Sequence, residues 1–132
     1  MAKYKILLIE DDNDQRDLLI ETIPYKSSLD IEVVGANNGR NGLEMTKQGS
    51  YDTIVTDYFM PDLDGLSFIQ EFKKHEENLK IPIIFMSAFF ADLDTAANKD
   101  LFENVFFLNK PFRIDELIKK IDFNIKSSAI SS

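Results

Sequence analysis

Ile6-Leu7-Leu8-Ile9-Glu10-Asp11-Asp12 runs four apolar residues straight into three acidic ones. A short, wholly apolar run of this kind reads as a strand buried on both faces, which is the habit of parallel sheets. Working outward, three more runs follow the pattern, at Ile31 to Ala36, Thr53 to Thr56 and Ile83 to Met86, and Val105 to Leu108 makes a fifth. Segments with helical spacing lie between them. Asp14 to Ile23 places Leu18, Leu19 and Ile23 on one face, and Pro24 is expected to stop it. Gly39 to Lys47 carries Leu43 and Met45, with Gly49 as the expected C-terminal cap. Leu66 to Lys74 groups Phe68, Ile69 and Phe72. Ala91 to Phe102 reads as a weakly apolar helix. The last stripe is the clearest, with Ile114, Leu117, Ile118, Ile121 and Ile125 at spacings of three and four.

Five alternations of strand and helix predict an α/β, doubly wound (βα)5 sandwich: right-handed crossovers and a parallel sheet covered on both faces. The 132 residues suit one domain. No internal repeat or linker interrupts them. The expected domain covers residues 1–125, and the serine-rich tail 126–132 is expected to be disordered. With 44% hydrophobic and 29% charged residues the composition is globular.

Fifteen basic against 23 acidic residues give a formal net charge of −8. Such a chain gains nothing from counterion release, so direct nucleic-acid binding is not expected. An anionic membrane surface would repel it too. Cysteine is absent, which excludes disulfides, thiol catalysis and Cys-based metal sites. The N-terminal apolar run is too short for a signal-peptide core or a membrane span, and the expected location is cytoplasmic.

In open parallel sheets the site lies outside the carboxyl ends of the strands. Here those ends carry Glu10, Asp11 and Asp12, then Asp57, then Ser87-Ala88, then Lys110-Pro111. Each piece alone is ordinary: acids after a strand commonly cap a helix, and Lys-Pro commonly marks a turn. Their convergence is what carries chemistry. Carboxylates so close repel one another unless a cation neutralises them. Oxygen ligands without His or Cys favour a hard cation, Mg2+ first and Mn2+ as the alternative. Mg2+ ties such a site to phosphoryl transfer, in which a carboxylate can serve as covalent acceptor. Asp57 is the expected acceptor. Lys110 would pair with one phosphoryl oxygen and Ser87 would donate to another.

At these residues the chain resembles the receiver domain of two-component response regulators, the chemotaxis-regulator-like fold, from about Lys3 to Ile125. The resemblance is carried by Ile6 to Asp12, Asp57-Tyr58-Phe59-Met60-Pro61-Asp62-Leu63-Asp64-Gly65, Pro82-Ile83-Ile84-Phe85-Met86-Ser87-Ala88 and Leu108-Asn109-Lys110-Pro111-Phe112. Ala36 to Glu44 also fits, with Gly42 where the family usually has alanine. It implies the strand order 2-1-3-4-5. It implies Asp57 as phosphoacceptor and metal ligand, Asp11 as a direct ligand, Glu10 acting through water, and the Phe59 backbone carbonyl as a further ligand, with Asp12 secondary. Ser87 and Lys110 take the family's hydroxyl and lysine places, and Pro111 its cis peptide. Phe107 falls at the switch aromatic, which turns inward behind Ser87 and alters the face of the fourth helix, fifth strand and fifth helix. The implied partners are a sensor histidine kinase or histidine phosphotransfer protein upstream, and a protein target on that face downstream.

Two departures stand out. Glu103-Asn104 occupies the place of a frequent Gly-Ala, and phenylalanine lies two residues beyond both Asp57 and Ser87. Phe59 and Phe89 are expected to shield an acyl phosphate from water. His75 reads as a solvated surface histidine, and Asp62, Asp64 and Gly65 as residues that shape the loop into the third helix.

The leading expectation is therefore a phosphorylation-controlled interaction module, not a turnover enzyme. A Mg2+-dependent aspartyl phosphohydrolase is the alternative, but the haloacid dehalogenase class needs a second acid where Phe59 stands. A flavodoxin-like carrier needs a glycine- and hydroxyl-rich loop where the acids stand, and those acids would repel its phosphate.

Overall fold

A computed structural model describes residues 3–88, 90, 95–96 and 98–131. In chain order the elements are β1 (Tyr4–Ile9), α1 (Asn13–Lys26), β2 (Ile31–Ala36), α2 (Gly39–Gln48), β3 (Thr53–Asp57), α3 (Gly65–Phe72), a single 3-10 turn (Glu76–Asn78), β4 (Ile83–Ser87), β5 (Val105–Asn109) and α4 (Ile114–Ser131). The strands form one sheet in the order β2-β1-β3-β4-β5, parallel throughout. This is the expected doubly wound topology.

The apolar run of β1 is explained by its two-sided burial. Ile6 and Leu8 point into a core layer with Leu19 and Ile23 of α1 and Leu117 and Ile121 of α4. Leu7 and Ile9 point into the opposite layer, with Ile54, Phe85 and the α3 residues Phe68, Ile69 and Phe72. Side chains alternate across a strand, so a strand between two helical layers has no position left for water.

Short polar side chains start the helices. Asp12, Asn38 and Asp64 occupy the N-caps of α1, α2 and α3, where their side-chain oxygens accept from Gln15 N at 3.0 Å, Asn41 N at 2.7 Å and Ser67 N at 2.8 Å. Asp12 thus caps a helix. Asp62 reaches across to a different helix from the one expected: its carboxylate accepts from Gly39 N (3.2 Å) and Arg40 N (2.8 Å) and ties the loop after β3 to the start of α2.

Several expectations are corrected. Pro24 does not stop α1, which continues to Lys26 with the proline inside its last turn. Only the carbonyl four residues back loses a partner there, and the fully buried Ile23 holds the turn down. Leu18 is 58% exposed, while Leu19 and Ile23 carry the buried face. Gly49 is the C-terminal cap of α2, as expected, with extended backbone (φ −156°).

Between β4 and β5 the described residues 95–96 and 98–104 lie in turns rather than a helix; 91–94 and 97 of the expected helix lie outside the described residues. With few apolar residues at helical spacing, that stretch has little packing to support a long helix. Leu101 and Phe102 still pack on the α3-side core. Asn104 has φ 60°, a left-handed conformation that asparagine accepts more readily than most residues.

The tail expected to be disordered is also different: α4 runs on to Ser131. Asn124 and Ile125 are buried and hold the middle of the helix to the body, and the helix continues past them. Among the described residues no helix is long and apolar enough to cross a membrane.

Candidate functional site

The strand ends meet in an open cleft of about 840 Å3 lined by Glu10, Asp11, Asp57, Phe59, Ser87 and Lys110, among others. All six were expected at the site, and the fold brings them together. Asp57 ends β3 at 5% exposure and Ser87 ends β4 at 5%, whereas Asp11 is exposed. Pairing fixes these positions: Asp57 is level with Met86, and Ser87 with Asn109. Lys110 N donates to the Ser87 carbonyl at 2.8 Å, carrying the pairing one residue past β5. The Lys110–Pro111 peptide is cis, as expected.

Lys110 Nζ lies 2.6 Å from Asp57 Oδ1, an ion pair with a buried carboxylate. Carboxylate oxygens of Glu10, Asp11 and Asp57 lie within 4.8 Å of one another. One ammonium thus faces three carboxyl groups. Glu10 is 2% exposed, and burial first, then the hydrogen bond and charge of Asp57, push its carboxyl from 4.5 up to about 8. Burial works against the Lys110 ammonium, but the hydrogen bond and charge of Asp57, with Glu10 and Asp11 adding to them, outweigh it and raise its pKa.

This donor set suits a hard divalent cation. It is all oxygen, it spans two strand ends, and its three carboxyl groups exceed the charge of the Lys110 ammonium beside them. Asp12 sits apart in role, its N–H donating to Glu10 Oε2 at 3.3 Å while its side chain caps α1.

Phe107 lies on β5 inside a group of rings. Its centroid is 6.2 Å from Phe85, 4.9 Å from Phe90 and 5.8 Å from Phe102. Tyr58, the residue after Asp57, is buried edge-on against Phe85 at 5.1 Å and lies 6.1 Å from Phe90. Rings therefore run without a break from beside the acceptor to the expected switch position. Tyr58 and Phe90 were not singled out from sequence; only their aromatic character beside Asp57 and near Ser87 hinted at it. The Phe59 ring is 60% exposed at the cleft and edge-on to Tyr58 at 5.0 Å. Phe89 lies outside the described residues. Arg16 was also missed: Nη1 donates to the Glu10 carbonyl at 2.8 Å, a contact without a sequence signature.

Comparison with known proteins agrees with this geometry. Residues 6–122 match the family described as "Response regulator receiver domain". The regulatory protein AtoC of Escherichia coli (strain K12) is 30% identical over 116 residues, covering 88% of this chain and 24% of AtoC. The response regulator receiver protein CpdR of Brucella abortus (strain 2308) is 28% identical over 118 residues, covering 89% of this chain and 93% of CpdR. Four other curated relatives are matched over about half of their length or less. Among solved structures, the receiver domain of the Francisella response regulator 1452 superposes with a TM-score of 0.77 at 29% identity, covering 96% of this chain and 99% of that one.

Proposed function

The chain belongs to the response regulator receiver domain family, a family of signalling switches that interact with histidine kinases and downstream effectors, and on that premise we propose that Asp57 accepts a phosphoryl group in a Mg2+-dependent reaction. The observation that carries this reading is the Lys110–Asp57 ion pair of 2.6 Å set beside the converging carboxylates of Glu10 and Asp11. Asp11, Asp57 and the Phe59 carbonyl would hold the cation, with Glu10 reaching it through water. When bound, Mg2+ supplies the positive charge that lets anionic phosphate approach an anionic nucleophile.

The protein's own residues do the rest. One Asp57 carboxylate oxygen attacks phosphorus in line with the departing histidine nitrogen; the O–P bond forms as the P–N bond breaks, and the nitrogen leaves with the electron pair. Lys110 exchanges its Asp57 contact for a phosphoryl oxygen and offsets the charge gained there. Ser87, at the next strand end, donates to another phosphoryl oxygen. Its displacement toward the phosphoryl group frees space that Phe107 enters, changing the face that carries β5 and α4. Output is altered binding to a protein target rather than turnover, and the donor upstream is a histidine kinase or phosphotransfer protein.

The test is incubation with acetyl phosphate and Mg2+ followed by intact mass. Wild type should gain one phosphoryl mass, lost on chelation, and Asp57→Asn should gain none. Repeated turnover of acetyl phosphate at a rate that Asp57→Asn leaves unchanged would contradict the reading.

A further inference from the structure

The backbone of Glu10 is held at both its N–H and its carbonyl. Glu10 N donates to the Ala36 carbonyl of β2 at 3.0 Å. The Glu10 carbonyl, the other end of that short backbone stretch, accepts from Arg16 Nη1 at 2.8 Å, and Arg16 Nη2 donates to Asn13 Oδ1 at 2.7 Å. Arg16 N meanwhile donates to the Asp12 carbonyl at 2.9 Å, so main chain and side chain of one residue both hold the turn into α1.

The reach of the guanidinium is set by β2. A Cβ on Gly35 would come within 2.7 Å of Ile20 Cδ1, 3.1 Å of Arg16 Cδ and 3.3 Å of Arg16 Cγ. The arginine stem therefore lies close beside the bare backbone of Gly35, where a side chain would crowd Ile20 first and the stem next. A planar fork on a fixed stem can meet two acceptors at once, which a lysine ammonium does with less definition.

Orientation matters here because the Glu10 carbonyl and the Asp11 N–H belong to one rigid peptide plane. Turning that plane swings the Asp11 carboxylate away from Glu10 and Asp57, with which it shares a space of 4.8 Å. We propose that Arg16 is a positioning residue for the cation: by holding the Glu10 carbonyl with a guanidinium whose stem passes beside Gly35, it sets the Asp11 carboxylate in the geometry that binds Mg2+. This rests on the reading of the site given above and adds to it a residue that touches neither metal nor phosphate.

Residues that orient metal ligands typically change affinity by roughly tenfold or more when removed. Mg2+ titrations followed by the amide resonances of residues 10–12 test the idea in wild type, Arg16→Met, Arg16→Lys and Gly35→Ala, with thermal melts run alongside. Arg16→Met should weaken Mg2+ by about tenfold and shift the Asp11 amide already in the metal-free state. Arg16→Lys should recover little of that loss although it restores the charge. Gly35→Ala, which keeps the arginine but crowds Ile20 and the arginine stem, should weaken Mg2+ by less than Arg16→Met does. Affinity within about twofold of wild type in Arg16→Met, or full recovery by lysine, would overturn the positioning role. Wild type that binds no Mg2+ would instead overturn the reading of the site on which it rests.

Discussion

Against one face of the sheet the buried helix residues Leu19, Ile23, Leu117, Ile118 and Ile121 are all aliphatic, with Tyr4, Phe106 and Phe112 packed only on their margin. Against the other lie Tyr58, Phe68, Phe72 and Phe85, with Phe90, Phe102 and Phe107 packed on their margin. Both faces are buried, yet they are built for different ends. Branched aliphatic chains interdigitate and hold one arrangement. The rings form stacked, edge-on and tilted pairs, and the outer ones stay partly exposed. Asp57 lies where this aromatic side begins. On the function proposed above, the scaffold is on the α1–α4 face and the switch on the other.

The largest effect should come from the scaffold. Leu8→Ala opens a cavity at a fully buried position of β1, and a loss of about 2–5 kcal/mol in urea unfolding is expected. A smaller loss than for the partly exposed Phe107 would break the comparison.

The edge where the faces meet should show a pH signature that neither apolar layer has. Burial and Asp57 raise the Glu10 carboxyl from 4.5 to about 8, so the metal-free fold keeps a proton that the unfolded chain releases near 4.5. That contribution is fully present below about 4.5 and is lost as pH rises through about 8. One retained proton gives a slope of at most about 1.4 kcal/mol per pH unit over that window. Urea midpoints of metal-free protein should therefore fall with rising pH, Glu10→Gln should flatten the trend, and Mg2+ should offset it. A flat wild-type profile would remove Glu10 from the account.

On the aromatic side, Gly65→Ala puts a Cβ 2.3 Å from Tyr58 Cδ2 and 2.9 Å from Phe85 Cε1. Overpacking of about 1–3 kcal/mol is expected. The smallest stability change, below about 1.5 kcal/mol, belongs to Phe107→Leu. That variant should still take up phosphate at Asp57 but lose the chemical-shift response of β5 to a beryllofluoride mimic. An intact response would place the movable element elsewhere.

Legibility from sequence follows the same division. The central strands were plain because burial on both faces leaves β1 and β4 largely apolar, and β1, β3 and β4 were placed to within two residues. The site was plain because strand ends converge by topology: Asp57, Ser87 and Lys110 needed no knowledge of side-chain packing. What failed depended on local competition. Leu18 and Leu19 are neighbours about 100° apart on a helix, so apolar spacing alone could not say which would face water. Pro24 reads as a stop, yet one lost hydrogen bond near a helix end is outweighed by the anchoring of Ile23. Asp62 and Arg16 act across turns, and contacts of that kind leave no periodic trace.

The central claim is that Asp57 is the residue modified, and chemical trapping tests it most directly. Protein treated with acetyl phosphate and Mg2+ is reduced with borohydride, which converts an aspartyl phosphate to homoserine, and the peptides are read by mass spectrometry. The account predicts homoserine at Asp57, absent when Mg2+ is chelated and absent in Lys110→Ala or strongly reduced there. Homoserine at another aspartate, or equal conversion of Asp57 without Mg2+, would contradict it.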